Sequence, residues 1–225
     1  MIVQERITTY LHSLDAGNGE FLDMLRIKAE AEHVPVIRQE TEQLVKVLLK
    51  IKKPRHILEV GTAVGYSALV MAASTPANVH ITTIEKYEKR IEQAYENFRL
   101  SEFADRITLL EGDAADLLRE LAPFYDFIFM DAAKGQYLNF LPEVMRLLPE
   151  GGVLLSDNVL QDGDLIESRY LVTRRNRTIH ARMREYLYTL THMPELETAV
   201  VPVGDGLAVS TRIVTGEEGA EKIDG

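Results

Sequence analysis

The chain has no cysteine among its 225 residues. That absence excludes a disulfide framework, a thiolate zinc site and a thiol nucleophile, so any metal must be held by oxygen or imidazole. Cations are scarce beside anions, with 25 Lys and Arg against 35 Asp and Glu and a formal net charge of -10. A globally basic nucleic-acid binder is disfavoured by that balance, while a local basic patch stays open. No apolar run approaches the length of a membrane span, and the opening MIVQERITTYLHSLDAGNGEF lacks the basic-then-apolar order of an export signal. The expectation is a soluble, cytoplasmic protein with no membrane partner.

What is present is enough apolar residue, 46% of the chain, to bury one substantial core. We expect one domain over residues 1–213 and a frayed tail over 214–225, where GEEGAEKIDG is rich in glycine and acid. Apolar residues at helical spacing predict helices around Ile7 to Leu14 and Leu44 to Ile51, with another over Met24 to Glu32. From Pro54 onward, short β-rich runs (HILEV, HITTIE, ITLLE, YDFIFMD, GVLLSD) alternate with amphipathic stretches, the pattern of a parallel sheet with right-handed crossover helices. Beyond them lie an Arg-rich segment, a helix ending near His192, and two strands joined by the turn Gly204-Asp205-Gly206. The predicted fold is α/β: a doubly wound, Rossmann-like, seven-stranded sheet with an antiparallel terminal hairpin. Ligands of such sheets bind outside the carboxyl ends of the strands.

The first strand runs into EVGTAVGYSAL, where Glu59, Gly61 and Gly65 form an E-x-G-x-x-x-G turn opening a helix. Ala63 takes the place of the middle glycine of a dinucleotide fingerprint, which favours a smaller, phosphate-free nucleoside over a pyrophosphate. Glu85 ends the second strand, placed for both ribose hydroxyls, and Gly112-Asp113-Ala114 ends the third, with an amide and a carboxylate for an adenine edge. Taken singly, Glu85 reads equally as a solvated strand end and Asp113 as a helix N-cap; their succession at consecutive strand ends is the signal. The fourth and fifth strands end in FMDAAKGQY and LLSDNVL, bringing Asp131, Asp157 and Asn158 to one edge. Two carboxylates and an amide oxygen are a hard ligand set suited to Mg²⁺ or Mn²⁺, with positions left for substrate oxygens. Lys134, three residues beyond Asp131, is the candidate general base, its pKa depressed by a nearby dication.

These residues resemble the catechol and caffeoyl-CoA type O-methyltransferases, over most of residues 20–213. DAAKGQY and LSDNVL are the more specific part of the likeness, the glycine loop the less specific. The resemblance implies S-adenosylmethionine as methyl donor, held by Glu85, Asp113 with Ala114, Asp131 and the loop from Glu59 through Gly61 and Gly65 to Ser67, with Ser67 on its carboxylate. It also implies metal on Asp131, Asp157 and Asn158, Lys134 as base, in-line transfer without a covalent enzyme intermediate, and a homodimer.

Substrate choice rests on two features. In the animal catechol enzymes an acid follows D-G-L; here the hairpin reads DGLAV with Ala208, against a catecholamine-specific pocket. The run SRYLVTRRNRTIHARMRE gathers Arg169, Arg174, Arg175, Arg177, Arg182 and Arg184, suited to phosphate contacts, and is similar to bacterial family members that methylate 5-hydroxyuridine at the tRNA wobble position. The expected partner is tRNA, with Arg169, Arg174, Arg175 and Arg177 at the interface. The alternative is a catechol or caffeoyl-CoA-like small molecule, and an NAD-dependent oxidoreductase is a third reading disfavoured by Ala63. His180, a lone histidine on a helix, reads more readily as a capping or packing residue than as a site residue, and Tyr137 reads equally as a core aromatic or as a border of the substrate pocket.

Overall fold

In the computed structural model, residues 2–168 and 170–214 are described. The acidic tail, from 215 onward, and Arg169 lie outside them.

Seven strands form one sheet: β1 (His56–Val60), β2 (His80–Glu85), β3 (Ile107–Glu111), β4 (Phe127–Met130), β5 (Val153–Ser156), β6 (Leu196–Val201) and β7 (Leu207–Arg212), in the order β3-β2-β1-β4-β5-β7-β6. The first five are parallel, and β7 inserts antiparallel between β5 and β6. The terminal hairpin is thus antiparallel as expected, but the strand at the edge is β6, which runs with β5. Its turn, residues 204–206, therefore returns to the carboxyl edge of the sheet.

The helices are α1 (Glu5–Ser13), α2 (Glu20–Ala31), α3 (Gln39–Lys52), α4 (Tyr66–Ala73), α5 (Glu88–Leu100), α6 (Ala114–Glu120), α7 (Tyr137–Leu147) and α8 (Arg177–His192). Strand residues alternate between two cores, as the two-residue period of a strand requires. Ile57, Ile81, Phe127 and Phe129 pack with Leu25, Val45, Leu49 and Leu69 on one face. Leu58, Val60, Ile128, Met130 and Leu154 pack with Leu118, Phe140, Val144 and Tyr186 on the other. Strands covered on both faces read as near-continuous apolar runs, as β1 does, and β1 to β3 match their predicted spans.

Two expectations need adjustment. The apolar stripe of α1 forms a helix, but Ile7, Tyr10, Leu11 and Leu14 are exposed instead of facing a core. The Arg-rich segment splits: α8 takes up the sequence only at Arg177, and the stretch before it holds turns. Among the described residues no helix is long and apolar enough to cross a membrane.

Candidate active site

A cavity of about 630 Å³ opens at the carboxyl ends of β1, β2, β3 and β4. Two glycines make its floor possible. Gly61 has φ +106°, and a Cβ there would meet the Asp131 carbonyl oxygen at 2.2 Å, so only glycine lets the ends of β1 and β4 touch. Gly65, at φ +82°, opens α4 against the Phe98 ring, which a Cβ would meet at 2.5 Å. Gly61 lines the cavity, whereas Gly65 acts through backbone shape and does not. Ala63 also adopts a left-handed conformation, φ +46°, at the position where a dinucleotide loop carries glycine.

Glu85 is held rigidly into the cavity. One carboxylate oxygen accepts the Ala63 N–H at 2.9 Å, and the other accepts those of Lys86 and Tyr87, both at 2.9 Å. Asp113 caps α6 by accepting the Ala115 N–H at 2.9 Å, and Lys86 Nζ lies 3.1 Å from its other oxygen. Both partners hold its carboxyl below the usual range, the Ala115 amide most strongly. The cap and the cavity-lining position coincide, so the two sequence readings of Asp113 were not exclusive. Ser67 and Ala114 line the same cavity.

Glu59 departs from expectation. It lies beneath the loop, fully buried and off the cavity wall. Its Oε2 accepts from Thr83 Oγ1 at 2.5 Å, Thr83 in turn pairs with Thr62 Oγ1 at 2.6 Å, and the Ser67 hydroxyl is a second hydrogen-bonding neighbour of the carboxyl. Burial pushes its carboxyl up to about 8. The side chain thus supports the loop from below without touching the cavity.

At the far side, across β1 from Glu85, the predicted acidic constellation is assembled. Asn158 Nδ2 donates to Asp131 Oδ1 at 2.9 Å, and the Asn158 N–H donates to Asp157 Oδ1 at 2.8 Å. Asn158 tolerates its φ of +60° because asparagine is among the residues suited to left-handed backbone. Asp131 and Asn158 line the cavity, with Asp157 almost wholly buried behind them. Burial raises the carboxyl pKa of both aspartates, and at Asp157 the Asp131 charge raises it further. The Lys134 amine offsets only part of the repulsion between the two buried acids, a hard dication would relieve the rest, and the donor set of two carboxylates and one amide oxygen fits Mg²⁺. No group of three or more His, Asp or Glu with metal-holding geometry occurs among the described residues, so the amide would be needed to complete the set.

Lys134 lines the same end. Its Nζ lies 3.7 Å from Asp205 Oδ2 in the hairpin turn, a partner that sequence reasoning passed over as a turn residue. The signal was available in the topology: a hairpin packed antiparallel on β5 returns its turn to the edge that bears Asp157. Tyr137 proves to be core, its hydroxyl donating to the carbonyls of Met130 and Asp157, both at 3.1 Å. His180 is buried against the Glu167 carbonyl at 3.2 Å. Ala208 is fully buried beside Ser156.

The arginines divide. Arg174 and Arg175 are exposed. Arg177 is tied into its own loop, donating to the Val172 carbonyl at 3.2 Å and the Tyr170 carbonyl at 3.5 Å. Arg182, outside the predicted interface set, donates to the Gly135 carbonyl at 2.8 Å and so seats α8 beside Lys134. A second unpredicted wall of the cavity comes from Pro35, Val36 and Ile37 between α2 and α3. Arg26 holds it there, donating to the Ile37 carbonyl at 3.0 Å, to Tyr66 Oη at 3.1 Å and to the buried Glu42.

A doubly wound sheet with a strand-end carboxylate aimed into a nucleoside-sized cavity, and two carboxylates and an amide beside it, is an arrangement of the α/β class suited to a nucleoside cofactor. The sequence profile of the O-methyltransferase family matches residues 12–213, and the chain belongs to that family, a class of S-adenosylmethionine-dependent enzymes. It is 29% identical to caffeoyl-CoA O-methyltransferase 1 of Eucalyptus globulus over 177 residues, covering 76% of this chain and 72% of the relative. A Staphylococcus aureus structure described as a candidate caffeoyl-CoA O-methyltransferase superposes with TM-score 0.87 at 31% identity, covering 92% of this chain and 100% of that one. An S-adenosylhomocysteine-bound methyltransferase from Podospora anserina gives TM-score 0.83 at 25% identity, covering 93% and 95%.

Proposed function

We propose that the protein transfers a methyl group from S-adenosylmethionine to one of two vicinal oxygens of its substrate, with a divalent metal on Asp131, Asp157 and Asn158 and Lys134 as general base. The observation that carries this reading is the meeting of Asp131, Asn158 and Lys134 at one end of a cavity whose other end presents Glu85, with Asp157 buried directly behind Asn158. Glu85, prealigned by three backbone amides, accepts from the ribose hydroxyls; Asp113 and Ala114 border the adenine; Ser67 faces the methionyl carboxylate. When bound, Mg²⁺ or Mn²⁺ supplies Lewis acidity that eases deprotonation of a substrate hydroxyl. Lys134 takes that proton, and the cavity walls at 35–37 and 132–133 exclude water from the donor methyl.

The substrate we favour is 5-hydroxyuridine at the wobble position of tRNA, whose 5-hydroxyl and 4-carbonyl are vicinal oxygens. The supporting observation is the Arg182–Gly135 contact, which sets the Arg-rich start of α8, with exposed Arg174 and Arg175 ahead of it, beside the candidate base. On this reading the reaction is cytoplasmic. The second reading, a catechol or caffeoyl-CoA-like metabolite, is favoured by the names of the plant relatives. The open apolar stripe of α1 supports self-association as a homodimer.

The deciding experiment follows labelled methyl from S-adenosylmethionine, with Mg²⁺ or EDTA, into tRNA containing 5-hydroxyuridine and in parallel into a simple catechol. Metal-dependent transfer at much higher efficiency to tRNA is the expected result. Transfer to catechol alone moves the same chemistry to metabolites, and transfer to neither overturns the reading.

A further inference from the structure

Asp205 faces the Lys134 amine and has no part in the chemistry above. Its carboxylate is buried and fixed from several directions. Oδ2 lies 3.7 Å from Lys134 Nζ and 3.7 Å from the Arg38 guanidinium. Oδ1 accepts the N–H of Asp162, whose own carboxylate accepts from Arg38 at 2.9 Å. The turn itself is pinned, because the carbonyls of Asp205 and Gly206 accept the N–H groups of Leu160 and Val159, both at 2.9 Å, directly after Asn158. Lys134, by contrast, stands on a single 3-10 turn (Lys134–Gln136) at the end of a flexible four-carbon stem. Of the two partners, the carboxylate is the fixed one.

We propose that Asp205 is the positioning residue for Lys134, anchoring the amine at the cavity wall and stabilising the ammonium formed when Lys134 takes the substrate proton. The inference rests on the reading of Lys134 as base. In that step the substrate O–H bond breaks and an N–H bond forms on Nζ; the electron pair left on oxygen bonds the methyl carbon as the C–S bond breaks toward sulfur. A fixed anion behind the base acts as the aspartate of a catalytic triad acts on its histidine, by orientation and by stabilising the cation. Arg38 shares the same oxygen and limits how strongly the amine is held.

Asp205→Asn keeps an oxygen for the Asp162 amide and removes the charge; Asp205→Glu keeps the charge. Two measurements are made on each full-length protein: the rate of Lys134 acylation by an N-hydroxysuccinimide acetate, read by peptide mass spectrometry, and steady-state methyl transfer. For Asp205→Asn, acylation should quicken about twofold to fivefold, the range of a partly exposed ion pair. Its kcat should fall about 100-fold with KM for S-adenosylmethionine unchanged, and Asp205→Glu should recover much of the loss. Arg38→Gln, which leaves the whole carboxylate to Lys134, should slow acylation, so the pairing is testable even if the asparagine variant folds poorly. An acylation rate that neither variant changes overturns the pairing whatever the activity. Altered acylation with unchanged kcat overturns the role in transfer, and a wild type that methylates neither tRNA nor catechol indicts the proposed function instead.

Discussion

Replacing Glu59 by Gln turns its burial into a measurable pH dependence. The carboxyl titrates near 4.5 in the unfolded chain and is pushed up to about 8 in the fold, chiefly by burial. Between those values the folded protein holds a proton that the unfolded chain has released, so wild-type stability falls as pH rises, by up to about 1.4 kcal/mol per unit. Glutamine has nothing to titrate and presents one carbonyl oxygen for Thr83 in the place of Oε2. Any fixed cost of the substitution is the same at every pH. The contributions of Asp131 and Asp157 are present in both proteins and largely cancel in the difference. The stability of Glu59→Gln relative to wild type should therefore rise by about 2 kcal/mol between about pH 5.5 and pH 7.5. Urea unfolding of both proteins across that interval measures it, provided the m-values agree. Parallel stability curves, with a constant offset, would refute the claim that Glu59 is held neutral beneath the loop.

Asp157→Ala and Lys134→Ala should each abolish methyl transfer while leaving S-adenosylmethionine binding by calorimetry largely intact, since the cofactor end of the cavity is built from other strands. Because ligand carboxylates must lose the protons that burial stabilises on them, Mg²⁺ affinity should rise with pH through neutrality and binding should release protons, as titration calorimetry in buffers of different ionisation enthalpy would reveal. Replacing Arg174 and Arg175 by Ala should lower the salt slope of tRNA binding by about two, one for each phosphate contact, whereas Arg177→Ala should chiefly loosen its loop and leave that slope nearly unchanged. Arg26→Met takes from the buried Glu42 its nearest cation, leaving it the Asn18 amide, the Tyr66 hydroxyl and Lys46 at 3.9 Å, and should cost about 3 kcal/mol in urea unfolding, part of it restored in Arg26→Met/Glu42→Leu.

The sheet and the position of its strand-end residues were legible because each depends on local pattern. A strand covered on both faces writes itself as an apolar run, and the residue that follows it lies at the ligand edge by topology alone; Glu85, Asp113, Asp131 and Asn158 were all found that way. YDFIFMD was read too long because Asp126, although in sequence continuity with β4, turns its carboxylate to the N–H groups of Arg55 and His56. Contacts that depend on distant segments meeting were not legible. The Arg26–Glu42–Tyr66 cluster links three helices through polar groups that, residue by residue, resemble ordinary surface charge. Arg177 differs from Arg174 and Arg175 only by the loop carbonyls that occupy it. Glu59 looked like a ligand contact because motif position says which loop a residue belongs to and nothing about which side of that loop it faces.

The clamp around Asp205 has a temporal side. Arg38 and Asp162, its two other partners, are themselves 124 residues apart in sequence, and the turn that bears Asp205 precedes only the final strand of the sheet. Contacts of such separation form only after the loop-closure entropy between them has been overcome. During synthesis β1 to β3 and α4 have all their residues in hand long before the Lys134 amine can meet its carboxylate. A chain that stops short of the hairpin therefore lacks the carboxylate that faces Lys134, so this pairing is among the last long-range contacts that synthesis makes available.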